Sequence, residues 1–238
     1  MVQARTDIIE LPVCKEPAEI KEGDATADDL LTNSKKRLAE VIPDHLACLT
    51  LSIGGNGDKV TRNTILSLTV PDMEYLALHI HRVNYGDDIR LKVMCDKCGK
   101  DNGFSIPFTT LDFIPVPEDA VGVYPIFSIT LPRSGYEAEF GYLTGNQELT
   151  LLQKIVNGQI DPTAMLYEHL ISLNNIKKPD LKIRHLKELL GMDRAALRDA
   201  IDSKKCGYDP RVRWKCVWCN QPNITNVLTD ISFLLPSV

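Results

Sequence analysis

The sequence predicts an α+β protein: split zinc-ribbon-like strand knuckles, with an inserted β-hairpin and helical segment between them and an extended N-terminal arm in front. Three observations predict it. Two Cys-x-x-Cys pairs, Cys95/Cys98 and Cys216/Cys219, each lie between strand-like runs. The stretch "YPIFSITLPRSGYEAEFGYLT" alternates as two strands about "PRSG". Four amphipathic helical patterns then fill the space between that hairpin and the second cysteine pair.

Residues 1–45 read as the acidic arm. Pro12, Pro17, Gly23 and Pro43 interrupt "EPAEIKEGDATADDLL" and its neighbours, and Thr26 is a candidate N-cap for a short helix. Residues 46–118 form the first strand and helix part. "CLTLSI" has strand composition, "GGNGD" is a turn, and Cys48 reads as a small buried residue. "PDMEYLALHIHRVNYG" repeats Met73, Leu76, Ile80 and Val83 at helical spacing, with Gly86 as its left-handed stop. "DIRLKVMC" alternates into the first cysteine pair, and "GKDNGFSIPF" leaves it.

Residues 119–204 are the expected insertion. After the hairpin, one helix ends near Gly158, and a second starts with Asp161 as N-cap and Pro162 at its first position. A third ends near Gly191 and a fourth starts at Asp193. Residues 205–238 carry the second knuckle and the tail, completing the domain begun at residue 46.

Composition bounds the function classes. With 44% hydrophobic and 25% charged residues, the chain of 238 has material for a packed core and no signature of global disorder. No apolar run approaches the roughly 20 residues of a membrane helix, and the charged start "MVQARTDIIELP" is unlike a signal peptide. A cytosolic product is expected, and its odd count of seven cysteines argues against a secreted disulfide framework. Net charge is −5, yet Ser172–Cys219 holds twelve Lys/Arg against six Asp/Glu, so +6 there leaves −11 elsewhere. That asymmetry suits a polyanion or an acidic protein patch, or simply two solvated faces of one domain.

The two cysteine pairs share a context. "RLKVMCDKCGKDNGFSIPF" and "RVRWKCVWCNQPNITNVLT" each run from a basic strand through the pair to a turn former, Gly99 or Asn220. Asn102 or Asn223 follows four residues past the second cysteine. A weak internal repeat of a strand–knuckle–strand unit results, and two facing knuckles offer Cys95, Cys98, Cys216 and Cys219 to one structural zinc. Residues 99–215 separate the pairs, where a compact ribbon needs only about 15–20. Closing so long a loop costs about 4–5 kcal/mol, against about 10–16 kcal/mol for a structural zinc in peptide hosts, so the insertion is no obstacle. A thioredoxin-like redox pair, incidental cysteines, two separate metal sites and an iron–sulfur centre are the lesser readings. Cys14, Cys48 and Cys206 are spare thiols.

No catalytic constellation emerges. His79 and His81 point apart on a helix, His169 and His185 lie on separate helices, and no zinc-protease, phosphate-loop, dinucleotide or serine-hydrolase motif is present. Trp214 and Trp218 beside Arg211, Arg213 and Lys215 could stack bases; shielding of the metal knuckle is favoured over nucleic-acid binding because the chain is acidic overall.

Several stretches together resemble the T-even-type bacteriophage baseplate hub subunit and hub-assembly family. They are "DIIELPVCKEPAEI", "LSIGG" with "HRVNYGDDIRLKVMCDKCG", "LPRSGYEAEFGYLTGNQE", and "VRWKCVWCN" with the ending "ISFLLPSV". Leu234 and Leu235 stand where more aromatic residues are expected. The resemblance implies a non-enzymatic subunit of a contractile-tail baseplate, made in the host cytoplasm and carried in the virion. It would be multi-copy, touching other baseplate, tail-tube or wedge proteins, with its arm and "FLLPSV" tail lying on neighbours. A transient hub-assembly factor is the alternative, and a zinc-ribbon nucleic-acid binder a further one.

Overall fold

The computed structural model describes residues 4–32, 38–55, 57–158 and 162–227. It is a mixed α+β chain, as expected, but the order of its elements runs through one series twice.

In the first pass, β1 (Thr6–Glu10) and β2 (Pro17–Lys21) form an antiparallel hairpin, and β3 (Thr50–Ile53) adds to the far side of β2. Helices α1 (Ala25–Thr32) and α2 (Leu38–Leu49) connect β2 to β3. Helices α3 (Arg62–Ser67) and α4 (Val70–Tyr85) follow, then the knuckle hairpin β4 (Asp88–Met94) and β5 (Asp101–Pro107). A 3-10 turn at Phe108–Thr110 and the short β6 (Phe113–Ile114) lead onward.

The second pass repeats the series. Hairpin β7 (Ile126–Thr130) and β8 (Glu137–Gly141) is joined by β9 (Leu170–Leu173) through α5 (Gly145–Val156) and α6 (Pro162–His169). Helices α7 (Pro179–Glu188) and α8 (Gly191–Ser203) precede β10 (Gly207–Tyr208), which pairs with β6. The second knuckle hairpin is β11 (Arg211–Lys215) with β12 (Pro222–Asn226).

The two passes agree in register. Thr6 pairs with Lys21, and 120 residues later Ile126 pairs with Gly141. Both sheets carry the same irregularity, between Glu19 and Ile20 and between Glu139 and Phe140. The hairpin turns match too: Leu11 N–H donates to Glu16 O (3.0 Å) and Leu131 N–H to Tyr136 O (2.8 Å). Each turn has one residue at positive φ, Lys15 at 60° and Gly135 at 70°. The chain is an internal tandem repeat, residues 6–107 and 126–226.

Each repeat builds its own core. Leu11, Ala18, Ile20, Leu46, Ile65 and Leu76 of the first correspond to Leu131, Ala138, Phe140, Leu166, Leu186 and Leu197 of the second. Each such leucine, isoleucine or phenylalanine burial contributes about 1.5–3 kcal/mol against the unfolded chain. A third core is shared. Leu78, Ile89, Leu91 and Val93 of the first repeat and Phe108 just after it meet Val227 there, with Tyr208, Val212 and Trp214 of the second packed alongside.

A buried aspartate locks hairpin to helix in each repeat. Asp72, in the first turn of α4, accepts from Val13 N (2.7 Å), Cys14 N (3.3 Å) and Thr69 Oγ1 (2.8 Å). Asp193, 121 residues on in α8, accepts from Arg133 N (2.8 Å) and Ser134 N (3.1 Å). A carboxylate at a helix start also suits the helix dipole. Burial raises the pKa of Asp72, its hydrogen bonds opposing; in Asp193 the amides of Arg133 and Ser134 outweigh burial and lower it.

Several sequence expectations change. The arm within residues 1–45 is no arm, because residues 6–21 are the β1–β2 hairpin and Ile9, Leu11, Ala18 and Ile20 enter the core. Asp24, not Thr26, caps α1, accepting from Thr26 N and Ala27 N at 3.0 and 3.3 Å. Cys48 lies in α2, half-buried against the first core, since the helix runs to Leu49 before the chain extends. Helix α8 starts at Gly191, two residues before Asp193. The segment 119–204, read as an insertion, holds the second copy of the hairpin, helices and third strand. Gly86 ends α4 at φ 86° and Gly158 follows α5 at φ 72°, as read. Asp161 and the tail "FLLPSV" lie outside the described residues. No described helix is long and apolar enough to cross a membrane.

The repeats also meet away from the shared core. Val70 N–H donates to Leu143 O (2.8 Å) and Gly145 N–H to Leu68 O (3.0 Å), a small antiparallel bridge between Thr69 and Thr144. A Cβ on Gly145 would come within 3.1 Å of the Leu66 backbone, so glycine permits this approach. Tyr124 Oη closes the edge with a 3.0 Å bond to Ser67 O.

Candidate metal centre

The repeats present their knuckles to each other. Each knuckle begins with its first cysteine at the end of a strand, where a tight turn brings the second cysteine back beside it. In the first, Cys95 N–H donates to Lys100 O (3.0 Å) and Gly99 N–H to Cys95 O (2.9 Å). In the second, Cys216 N–H donates to Gln221 O (3.0 Å) and Asn220 N–H to Cys216 O (2.9 Å). Gly99 at φ 65° and Asn220 at φ 56° supply the left-handed residue that both turns need.

The four sulfurs converge. Cys95 Sγ lies 3.7 Å from Cys219 Sγ, and Cys98 Sγ 3.6 Å from Cys216 Sγ; all four lie within 4.8 Å of one another. These separations are too long for S–S bonds, and all four cysteines are free. A tetrahedron with metal–sulfur bonds of about 2.3 Å has edges of about 3.8 Å, so the cluster has the size such an ion requires. Cys95 and Cys216 are buried, Cys98 and Cys219 half-buried. The donor set fits a thiophilic metal ion, and the four residues chosen from spacing are the four that meet.

Hydrogen bonds cross between the knuckles with local twofold symmetry. Asn102 Oδ1 accepts from Val217 N (2.9 Å), and Asn223 Oδ1 accepts from Asp96 N (3.3 Å). Each asparagine anchors its amide on its own turn, Asn102 Nδ2 to Lys100 O and Asn223 Nδ2 to Gln221 O, both 2.8 Å. Asn223 Nδ2 also reaches Cys95 Sγ at 3.7 Å. The recurrence of asparagine was visible in the sequence; its bond to the opposite knuckle was not.

Local amides favour thiolates. The Cys98 amide lowers the pKa of Cys95. For Cys216, burial opposes ionisation, but amides of Trp218 and Cys219 and the Cys98 thiol bring it down to about 6. Cys219, despite the Gln221 amide, is pushed up to about 11 by burial and then by its sulfur neighbours.

The tryptophans separate. Trp214 is half-buried, its ring 5.6 Å from that of Phe104 in the shared core. Trp218 is 62% exposed and spans the knuckles, Nε1 donating to Asp101 O (3.1 Å) with Lys100 Nζ 4.7 Å from the ring. Neither lies over the cluster as a buried lid.

The other candidate residues stay apart from the metal centre. His79 packs on Tyr75 and Phe108 with Nε2 buried and unpartnered, and burial, aided by Arg82, lowers its pKa to about 4. His169 Nδ1 meets Gly141 O at 3.0 Å, and His185 lies beside Glu188. Burial, with Asp72, raises Cys14 to about 12, and burial also raises Cys206.

Family models, curated proteins and solved structures were all compared with the chain, and none matches.

Proposed function

We propose that this chain is a structural, non-enzymatic subunit at or beside the hub of a phage contractile-tail baseplate, its two repeats clasped by one structural zinc ion. The observation that carries the zinc clasp is the four-sulfur cluster, with two ligands from each repeat. Four thiolates fill a zinc tetrahedron and leave no position for water or substrate, so the ion would act as a cross-link. The baseplate assignment rests on the stretches that resemble that family, from "DIIELPVCKEPAEI" to "ISFLLPSV". In this reading the partners are other hub, tail-tube or wedge proteins, and the location is the virion tail.

Mass spectrometry of purified virions tests the baseplate assignment. The chain should be present in a fixed ratio to the other baseplate proteins. Its absence from mature particles would exclude a retained subunit and leave a transient assembly factor.

A further inference from the structure

The repeat-to-repeat junction is directional. The turn before α4, Leu68–Thr69–Val70, receives Leu143–Thr144–Gly145 at the start of α5. Thr69 is 1% exposed there. The knuckles meet head to head, but this junction sets the turn of one repeat against the helix start of the other. Each repeat therefore has one half of the junction left over.

The leftover turn is Leu189–Leu190–Gly191, before α8. It repeats two backbone bonds of the used one, while Leu190 lacks the side-chain cap that Thr69 makes to Asp72. Leu189 N–H donates to Leu186 O as Leu68 N–H does to Ile65 O, and Arg194 N–H donates to Leu190 O as Met73 N–H does to Thr69 O. Among the described residues, no segment is bridged to it. Where the first repeat has buried Thr69, the second has Leu190 at 52% exposure, with Met192 at 63% beside it. A leucine and a methionine exposed at a position that is covered in the sister repeat mark a contact surface.

The leftover helix start is Gly23–Asp24–Ala25, before α1. It corresponds to Leu143–Thr144–Gly145, Asp24 capping α1 as Thr144 caps α5; Ala25 carries a Cβ where Gly145 has none, so the approach at this half is a few tenths of an ångström wider than at the internal junction. Asp24 and Ala25 are exposed. The two leftover halves are complementary in charge. Exposed Glu22, Asp24, Asp28 and Asp29 surround the helix start. Lys187, Arg194 and Arg198 flank the turn against Glu188 and Asp199, leaving it net positive. The imbalance extends to the whole chain: residues 1–125 hold 13 Lys/Arg against 20 Asp/Glu, net −7, and residues 126–238 hold 14 against 12, net +2.

We propose that a second copy of this chain occupies the turn before α8, inserting its own α1 start there, so that the junction within one chain continues between chains. The contact is heterologous: turn to helix start, basic repeat to acidic repeat. Such a contact closes into a ring or extends as a filament, according to the rotation per step. Raised salt weakens it, because its charges are exposed.

The test is sedimentation of the full-length, zinc-loaded protein over a concentration series, with circular dichroism to check folding. Wild type should associate with increasing concentration. Leu190→Asp, at the turn, and Ala25→Arg, at the helix start, should each weaken association at least about tenfold. Val121→Asp, at a 79% exposed apolar residue elsewhere, should change nothing. Mixing the two interface variants should give a dimer and nothing larger, since each retains one intact half. A wild type that stays monomeric throughout overturns the proposal, as does a mixture that forms no dimer, or a Val121→Asp effect equal to that of Leu190→Asp. Should Leu190→Asp misfold, Ala25→Arg together with Arg198→Glu carries the same comparison.

Discussion

Removing the carboxylate of Asp72 is predicted to destabilise the first repeat by about 3 kcal/mol. The side chain is fully buried and accepts three hydrogen bonds, two of them from backbone amides of a buried turn. In Asp72→Ala those amides lose their acceptor. Each buried donor left unsatisfied costs about 1–3 kcal/mol. The Thr69 hydroxyl can rotate to another acceptor, and relief of a buried charge offsets part of the loss, as the raised pKa of Asp72 indicates. The net is about 3 kcal/mol. Asp72→Asn keeps one acceptor for Val13 and should cost about 1 kcal/mol. Asp193→Ala should cost less than Asp72→Ala, because its two bonds reach a turn that is largely exposed at Arg133 and Ser134. Urea unfolding of the zinc-saturated protein, followed by far-ultraviolet circular dichroism, gives the comparison. At 2–4 °C per kcal/mol for a chain of this size, Asp72→Ala should lower the melting temperature by about 6–12 °C. A loss under about 0.5 kcal/mol, or a larger loss in Asp193→Ala, would refute the idea that these aspartates hold hairpin to helix.

Three further outcomes are expected. Elemental analysis of freshly purified, reduced protein should find about one zinc per chain, and Cys216→Ser should lose it and misfold; an unchanged melting temperature in that variant would contradict the clasp. Removing both cross-knuckle acceptors, Asn102→Ala with Asn223→Ala, should weaken zinc affinity about 10–100-fold in a chelator competition, and full retention would dismiss a positioning role for them. Burial, with Glu148 and Asp209 nearby, pushes Glu74 up to about 8 from 4.5. Its folded pKa thus exceeds its unfolded one, so the native state holds the proton more tightly and stability falls as pH rises from about 4.5 to about 8. Glu74→Gln should therefore leave stability at pH 4 unchanged and raise it by about 2–4 kcal/mol at pH 8.5, and equal effects at both pH values would exclude this account.

The four candidate metal ligands are legible because a Cys-x-x-Cys pair is self-contained: its turn fixes both sulfurs whatever lies between the pairs. The repeat was legible only there. Elsewhere its halves share few identical residues, such as Leu11-Pro12 with Leu131-Pro132 and Ala18 with Ala138, because a core asks for apolar volume at a position and not for one side chain. Ile20 and Phe140 serve the same place. The first hairpin reads as an arm in the sequence because its outward face carries the charges, Glu10, Glu19 and Lys21, while its inward residues are few and separated by prolines. Pro12 falls in the turn and Pro17 opens β2, positions where a missing N–H is tolerated. The locks made by Asp72 and Asp193 are not legible in the sequence, because an acidic residue in the first turn of a helix is ordinary until its turn partners, about 60 residues upstream, are known.

The split between the knuckles also sets an order in time. A ribosome releases Cys95 and Cys98 well before Cys216 and Cys219, and at 5–20 residues per second the delay is about 6–24 s. During that delay the residues of the first repeat's own core, Ile9 to Val83, are already made, but its knuckle presents only two of the four sulfurs. Two thiols then wait without the sulfurs they face in the finished chain. The vulnerable moment for this protein is thus during translation, when an oxidant could join Cys95 to Cys98 before the partner pair arrives.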